Sequence, residues 1–519
     1  MKVRSIKKIN EKIKNGLGNN TKFMFISSVG ILFSRISGFL RDLVVAYYFG
    51  ANQKTDIFFL AFKIPNTLRH VFAEGALSNV FLPKFIKLLS QEKKRAYSFL
   101  TLFLFVWSLI LIFIIFIAIK NTYYIIKFLA PGYKEELIKE AAYYLKLLFP
   151  FIFFISLIAI LGGSLEALND FWTFSVSTVF FNLGIIVGVL LFHQSLDIKA
   201  LVLGVYIGVI SQLIFVGYKF LKQNLLQIPN QENIKQILKE VFFVLKNFIF
   251  SFLVGALKQI SIVIDTIFAT FLGKGAISYL YYSFRLLFLP IGLVTIAINK
   301  VALKDLSEKI AKHDVKFLKK DIENTLILSY FLILFTAVLF AYFGLDTIKI
   351  LFAHGKFSSK DAYFTYLALL GSLPGLVFAT LSRVIFNIYL AKETPKALIP
   401  ISLATLSLNT FFDYVFVFLI PLGVFGLPFA TSITYTLVFF FLIKKVKKDY
   451  DLSITKNFYI FFFKLLFFSL ASGYGIFIFS KFIENLYFRF IFEYSTFSML
   501  YFLGGYLLEK RKIREILKL

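Results

Sequence analysis

The sequence predicts an all-α polytopic membrane protein with about fourteen transmembrane helices. Of its 519 residues, 59% are hydrophobic and only 17% are charged, and the mean hydropathy is +0.79. Apolar runs separated by short polar loops continue from about Phe23 to Leu508, so no loop is long enough to hold a separate catalytic domain. This composition excludes a soluble globular enzyme and a disordered chain, and the absence of cysteine excludes a disulfide-stapled secreted domain. The protein must therefore act within the membrane.

Each predicted helix is an apolar run of roughly 20 residues, the length that crosses a hydrocarbon core of about 30 Å. The predicted spans lie near residues 23–49, 55–88, 97–119, 142–165, 172–192, 198–220, 240–272, 276–299, 323–345, 362–390, 397–420, 424–443, 458–480 and 485–508.

The net charge of +28 is distributed in a way that indicates orientation. Lys and Arg cluster in alternate connections, for example at 93–95, 300–320 and 444–448, whereas the opposite loops are short and nearly uncharged. Such an excess of basic residues marks the cytoplasmic side of a membrane protein. Both termini are therefore predicted to be cytoplasmic, and nucleic acid is not an expected partner.

A short internal repeat suggests two related halves. Asp42 to Gly50 closes the first span, and Asp265 to Gly273 closes the seventh with the same Asp-to-Gly spacing. An offset of six helices is even, so the halves would run parallel in a pseudo-twofold arrangement. The predicted segments are a basic cytoplasmic N-terminal tail (1–22), a six-helix N-lobe (23–221), a cytoplasmic linker (222–239), a six-helix C-lobe (240–445), two C-terminal helices (446–508) and a basic cytoplasmic tail (509–519).

Several arginines lie within apolar spans, where each costs about 2.5–3.5 kcal/mol near a helix centre. They are Arg35, Arg41, Arg69 and Arg285. Arginine suits phosphate because its planar fork donates two parallel hydrogen bonds and never deprotonates. The alternative is that each arginine snorkels to an interface or pairs with a buried carboxylate. The acids closest in sequence are Asp42, Asp56 and Glu74. Taken together, the arginines favour an anionic, phosphate-bearing cargo.

Polar residues in spans 1 and 2 follow helical spacing. Seven residues separate Ser34 from Arg41, so both lie on one face of span 1. Asn66 and Arg69 are three apart, just after Pro65, which should kink the helix and open carbonyls toward a cavity. These two spans are therefore predicted to line the binding site.

A second polar group is predicted in the other half, from Asp265 in span 7, Asn409 and Asp413 in span 11, and Thr431 in span 12. Oxygen ligands from several helices suit a hard cation such as Na⁺, and a carboxylate at membrane depth could equally carry a proton. The alternative is an interhelical hydrogen-bond cluster without a coupling role.

Other patterns point away from chemistry. No His/Cys cluster, glycine-rich phosphate loop or Ser-His-Asp order indicates catalysis, so the chain is predicted not to be an enzyme and to need no cofactor. In the last span Arg489 and Glu493 are four apart, and we expect them to form an ion pair.

A set of motifs along the whole chain carries a family resemblance. The motifs are Ser34-Arg35-Ile36-Ser37-Gly38-Phe39-Leu40-Arg41-Asp42, Phe49-Gly50-Ala51, Thr55-Asp56, Ala61-Phe62-Lys63-Ile64-Pro65-Asn66, Leu68-Arg69, Phe72-Ala73-Glu74-Gly75-Ala76, Tyr281-Tyr282-Ser283-Phe284-Arg285-Leu286 and Leu351-Phe352-Ala353-His354-Gly355-Lys356-Phe357. They resemble the MurJ (MviN) family of lipid II flippases, which belongs to the multidrug/oligosaccharidyl-lipid/polysaccharide exporter superfamily.

The resemblance implies a multi-pass protein of the bacterial inner membrane. Its cargo would be lipid II, the undecaprenyl-diphosphate-linked disaccharide-pentapeptide precursor of peptidoglycan, moved from the cytoplasmic to the periplasmic leaflet by alternating access. The implied diphosphate-binding set is Arg35, Arg41, Arg69 and Arg285 with Ser34 and Asn66. The acidic partners or gating residues would be Asp42, Asp56 and Glu74. Spans 13 and 14 would accommodate the lipid tail, and cell-wall synthesis proteins are expected partners.

The driving force and the cargo leave alternatives open. The membrane potential, Na⁺ or H⁺ could drive the cycle. A flippase for another diphosphate-linked glycan would use the same chemistry, whereas a cation-coupled multidrug exporter would need an acidic or neutral cavity.

Overall fold

The computed structural model describes residues 29–69, 76–290, 292, 315–392, 394–451 and 454–508. In these ranges the regular structure is helical. The first ten helices are α1 (29–49), α2 (Gln53–Arg69), α3 (Ala76–Gln91), α4 (Lys93–Lys120), α5 (Thr122–Leu129), α6 (Glu135–Leu148), α7 (Phe151–Ala167), α8 (Phe171–Leu196), α9 (Lys199–Lys222) and α10 (Gln231–Ala269). The remaining helices are α11 (Ala276–Pro290), α12 (Val315–Phe352), α13 (Ser359–Ala391), α14 (Ile399–Tyr414), α15 (Gly426–Tyr450), α16 (Lys456–Ser480) and α17 (Leu486–Leu508).

Nine helical stretches in the described part of the chain are long and apolar enough to cross a membrane, judged by length and composition. The chain is therefore a multi-pass membrane protein, as its composition predicts. The spans predicted near 23–49, 240–272 and 485–508 overlap helices that are not among these nine, such as α1, which carries two arginines and an aspartate. The predicted tails 1–22 and 509–519 lie outside the described residues, as do parts of the spans predicted near 55–88 and 276–299. The total of about fourteen spans stays a prediction.

Packing divides the chain into two compact units. Unit 1 comprises Met1–Phe49 and Lys54–Val263, and unit 2 comprises Gly50–Gln53 and Ile264–Leu519. The division falls inside α10. The lobe boundaries predicted at 221 and 240 follow membrane topology rather than packing, and they remain predictions.

Unit 1 contains a close contact between α8 and α9. A Cβ atom on Gly184 would lie 2.2 Å from the Cα of Gly208, and one on Gly188 would lie 2.4 Å from the Cα of Gly204. Small residues allow such close backbone approach in membrane helices, where van der Waals packing replaces the hydrophobic effect as the force between helices. The polar residues of α8 therefore lie on a closely packed helix pair.

Polar side chains join the other helices of unit 1. The indole N–H of Trp107 on α4 donates to the Ser156 hydroxyl on α7 at 2.8 Å, and both residues are buried. Near the start of α4, Arg95 donates to Glu240 of α10 at 2.9 Å, and Lys84 of α3 also pairs with this carboxylate. One carboxylate thus holds three helices together.

Unit 2 is built around α13 and α15. The Ser432 hydroxyl donates to the carbonyl of Gly371 at 2.5 Å and accepts from the backbone N–H of Gly375 at 2.8 Å. A Cβ on Gly371 would lie 2.5 Å from the Phe425 carbonyl, so glycine is required for this approach.

The two C-terminal helices pack on α12. Tyr501 of α17 donates to the Phe331 carbonyl at 2.7 Å, and Tyr330 of α12 donates to the Phe462 carbonyl of α16 at 3.1 Å. The predicted ion pair between Arg489 and Glu493 is wrong, because the Arg489 Nε lies 2.6 Å from Asp346 Oδ2 of α12. A partner on a neighbouring helix is therefore preferred to one on the same helix.

Candidate functional site

The predicted polar stripe of α1 is held in unit 1 by an ion pair between adjacent residues. Arg41 donates from Nε and Nη2 to Asp42 Oδ1 at 3.0 and 2.7 Å. Arg41 is only 9% exposed and Asp42 only 2%. The alternative considered for the arginines, pairing with a buried carboxylate, therefore describes Arg41. A charge-assisted pair at this depth compensates for much of the cost of burying either ion.

Asn182 of α8 completes this network, and sequence reasoning did not single it out as a site residue. Its Oδ1 accepts from Arg41 Nη1 at 3.0 Å, while its Nδ2 donates to the Ser34 carbonyl at 3.1 Å and to the Ser37 hydroxyl at 2.9 Å. Asn182 is 3% exposed. An amide within an apolar span indicates a buried hydrogen-bond site. The sequence argument rested on charged side chains and therefore did not include this neutral one. Ser34 participates through its backbone rather than its hydroxyl.

Arg35 has a different environment on the same helix. It is half-buried, and within the part of the chain that the structure describes it makes no hydrogen bond or ion pair. A guanidinium at membrane depth without a partner is expensive, so such residues face a polar cavity or a ligand. The donors of Arg35 are therefore available to an incoming anion.

The polar residues of α2 behave as their spacing predicts. Arg69 Nε donates to Asn66 Oδ1 at 3.1 Å, and both residues are half-buried near the end of the helix. Pro65 lies inside the same helix. Asp56, in its first turn, is fully buried. Glu74 lies outside the described residues.

Unit 2 contains the second predicted polar group. The amide Nδ2 of Asn409 donates to Asp265 Oδ1 and to Asp413 Oδ2, both at 2.9 Å, and so joins α10 to α14. Asp413 is fully buried, and its Oδ1 has no hydrogen-bond partner in the described part of the chain. The hydroxyl of Thr431 donates within its own helix to the Leu427 carbonyl at 3.4 Å, and no hydrogen bond among the described residues joins it to the aspartates. Two carboxylates held by one amide provide oxygen ligands suited to a hard cation or a proton.

The backbone next to this group is irregular. Directly after Asp413 and Tyr414, residues Val415–Leu419 form a π-helical turn. Such turns are rare and occur frequently at functional sites, because the wider turn frees backbone carbonyls and redirects side chains. The sequence does not predict this π-helical turn.

Arg285 is held by an aromatic neighbour on α11. Its Nη2 donates to the Tyr281 hydroxyl at 2.8 Å, and its guanidinium lies 4.7 Å from the centre of the Tyr281 ring. Stacking orients the planar fork, leaving it half-buried. Arg383 on α13 is a further arginine within a predicted span. It is exposed, and sequence reasoning did not single it out.

Comparisons with known proteins agree in family and in fold. A family model described as lipid II flippase MurJ matches residues 45–497. A probable lipid II flippase MurJ of Aquifex aeolicus is 33% identical over 433 residues, covering 81% of this chain and 82% of that protein. A protein of the same description from Buchnera aphidicola subsp. Schizaphis graminum is 32% identical over 446 residues, covering 85% of this chain and 86% of that protein.

Solved structures show the same architecture. A lipid II flippase MurJ in an inward closed conformation matches with a TM-score of 0.78 at 26% identity, covering 94% of this chain and 100% of that chain. A multidrug resistance MATE family transporter in an inward-facing conformation matches with a TM-score of 0.64 at 13% identity, covering 79% of this chain and 94% of that chain. The second likeness shows a shared fold only.

Proposed function

Because the chain belongs to the lipid II flippase MurJ family, we propose that it moves lipid II from the cytoplasmic to the periplasmic leaflet of a bacterial inner membrane by alternating access. Lipid II carries a diphosphate between its undecaprenyl tail and its disaccharide-pentapeptide. The observation that carries the proposal at the level of residues is the half-buried Arg35, a cation in a membrane helix without a partner among the described residues. A diphosphate would supply the missing negative charge.

The four arginines differ in how far their N–H donors are available to a ligand. Arg35, Arg69 and Arg285 are half-buried, and we assign them to direct contact with the diphosphate. Arg41 is bonded to Asp42 and Asn182, so it contributes mainly through the position that it gives α1. Ser34 and Asn66 complete the polar lining, and Asp42, Asp56 and Glu74 are proposed as acidic partners or gating residues. The lipid tail would lie along α16 and α17, within the bilayer.

The driving force is proposed to come from the membrane potential and from a coupling ion. An inside-negative potential favours outward movement of a bound anion by about 2.3 kcal/mol per charge per 100 mV. Na⁺ or H⁺ bound at Asp265, Asn409 and Asp413, with Thr431 as a further ligand, would then reset the carrier. In this role the protein is a transporter rather than an enzyme.

The test measures lipid II exposure at the outer leaflet of cells in which this chain is the sole flippase. We expect wild type to restore exposure, and Arg35→Ala and Arg69→Ala to reduce it at least tenfold, because each removes an anion-binding charge worth roughly 1.4 kcal/mol or more. Arg35→Lys keeps the charge and should retain part of the activity. Lys219→Ala, an exposed position on α9, serves as the matched control for loss of a positive charge.

Equal insertion of all variants is checked by membrane fractionation. Full activity of the Arg35→Ala/Arg69→Ala double variant would contradict the arginine assignment while leaving the cargo intact. If wild type inserts but restores nothing in a host shown to accept a related flippase, lipid II is the wrong cargo, and other diphosphate-linked glycans are tested next.

A further inference from the structure

The polar clusters of the two units correspond to one another, although their chemistry differs. Arg41, adjacent to Asp42, is 141 residues before Asn182, and Asp265 is 144 residues before Asn409. Each aspartate begins the Asp-to-Gly segment that closes its span. In both units an asparagine on a later helix is bonded to the aspartate or to the residue beside it. The two clusters therefore match in two ways: each has an asparagine partner, and that partner follows at nearly the same distance along the chain.

The two clusters differ in the residue that precedes the aspartate. It is Arg41 in unit 1 and Ile264 in unit 2. In unit 1 the guanidinium of Arg41 donates two hydrogen bonds to Oδ1 of Asp42. It donates a third to Oδ1 of Asn182. In unit 2 an isoleucine cannot do this, and the amide of Asn409 lies between two carboxylates instead.

We infer that Asp42, Asn182 and Ser37 form a cation site in unit 1 whose resident cation is the Arg41 guanidinium, and that removing this side chain leaves a site for a free guanidinium ion. The site is built by a 2%-exposed carboxylate and a 3%-exposed amide. Ser37, also buried, donates to the Ser34 carbonyl at 3.0 Å and accepts from Asn182 Nδ2, which orients the amide oxygen toward the cation.

The inference concerns how each unit balances the charge of its aspartate, and it does not depend on the cargo. A tethered cation cannot dissociate, so unit 1 keeps its charge balance throughout any cycle. Of these two clusters, the one in unit 2 is the one that could exchange a cation with solution. The protein would then couple to one small cation per chain rather than to one in each unit.

The experiment uses full-length protein in detergent and measures the midpoint of thermal unfolding without cargo. The probe is ethylguanidinium, which supplies the atoms that Arg41→Ala removes beyond Cβ. We expect the probe, at about a hundred times its dissociation constant, to raise the midpoint of Arg41→Ala by about 2 °C, since a ligand that binds only the folded state stabilises it. Wild type should not respond, because its site is filled.

Two controls separate specific binding from a general effect of the ion. Arg41→Ala/Asp42→Asn lacks the carboxylate and should not respond. Arg35→Ala loses the same side chain from the same helix at a position without a partner among the described residues, and it should not respond either. An equal response in either control, or no response in Arg41→Ala, would overturn the inference.

Arg41→Ala could fail to fold, since it leaves a buried carboxylate uncompensated. In that case the inference requires Arg41→Ala/Asp42→Asn to be recovered from membranes in greater amount, because the double variant removes both charges. Equal loss of both variants would show that Arg41 does not act by neutralising Asp42. None of these measurements involves lipid II, so they remain informative if the proposed cargo is wrong.

Discussion

Two arginines six positions apart in α1 have different environments. Arg41 is bonded to a carboxylate beside it and to an amide from α8, whereas Arg35 makes no such bond in the described structure. Both are costly in an apolar span by the same rule, so composition could not distinguish them. At the scale of the residue, the availability of donors decides which arginine can meet an anion.

The buried carboxylate of Asp413 leads to a prediction about ion dependence. If it binds a coupling ion, replacing choline with Na⁺ at constant ionic strength should raise the thermal midpoint of wild type by a few degrees, about 2 °C or more. Asp413→Asn should lose this response, because the amide removes the charge that attracts a cation. It should also unfold no earlier than wild type without Na⁺, since it buries no uncompensated charge.

Glu166→Gln is the matched control for that measurement. Glu166 is a half-buried carboxyl at the end of α7, far along the chain from Asp413, and its replacement should leave the Na⁺ response unchanged. A response to lowered pH in place of Na⁺, lost in Asp413→Asn, would assign the site to a proton. A Na⁺ response that persists in Asp413→Asn would exclude this residue as a ligand.

Helices α8 and α9 pack so closely that glycine is needed for their backbones to touch. We predict that Gly184→Ala destabilises the protein by about 2 kcal/mol, because its Cβ would lie 2.2 Å from Gly208 Cα and the helices must separate. Since α8 also carries Asn182, this separation should disturb the hydrogen bond to Arg41 as well. The thermal midpoint in detergent measures the loss.

Gly217→Ala provides the comparison on the same helix pair. Nothing lies within 4 Å of a Cβ at Gly217 of α9, so alanine there should be neutral or slightly stabilising through its higher helix propensity. If both alanine variants unfold at the same temperature, the close contact of α8 and α9 does not contribute to stability in the way described.

The helices themselves were predicted well where the apolar signal is strong. The spans predicted near 97–119, 198–220 and 458–480 lie within the helices Lys93–Lys120, Lys199–Lys222 and Lys456–Ser480. The π-helical turn at Val415–Leu419 was not predicted, because hydropathy reports solvent preference and carries no information on hydrogen-bond register. The Arg489 pair was misassigned because i, i+4 spacing considers only the residue's own helix.

For the whole molecule, the distribution of basic residues predicts the orientation in the membrane. The chain has no cysteine, so single cysteines can be introduced without removing any native one. We predict that cysteine at Lys134 or Ser195 reacts with a membrane-impermeant maleimide in intact spheroplasts, whereas cysteine at Lys222 or Lys448 reacts only after lysis. The reason is that basic loops are retained on the cytoplasmic side.

Labelling of all four positions after lysis controls for local accessibility. If Lys222 and Lys448 react in intact cells while Lys134 and Ser195 do not, the orientation is opposite to the prediction. A result in which one position of either group reacts on the unexpected side would mean that spans have been miscounted. Such an error can leave both termini on the predicted side while placing an intervening loop on the opposite side of the membrane.

Composition and periodicity were sufficient for the class of protein, the approximate helix positions and the presence of costly arginines. These properties follow from local rules, because a bilayer requires apolar runs of a set length and penalises every charge within them. The partners of those charges were decided by tertiary structure. Asn182 reaches Arg41 across 141 residues, and Asn409 reaches Asp265 across 144, because separate helices pack side by side. Spacing along one helix shows which residues share its face, but not which neighbour that face will meet.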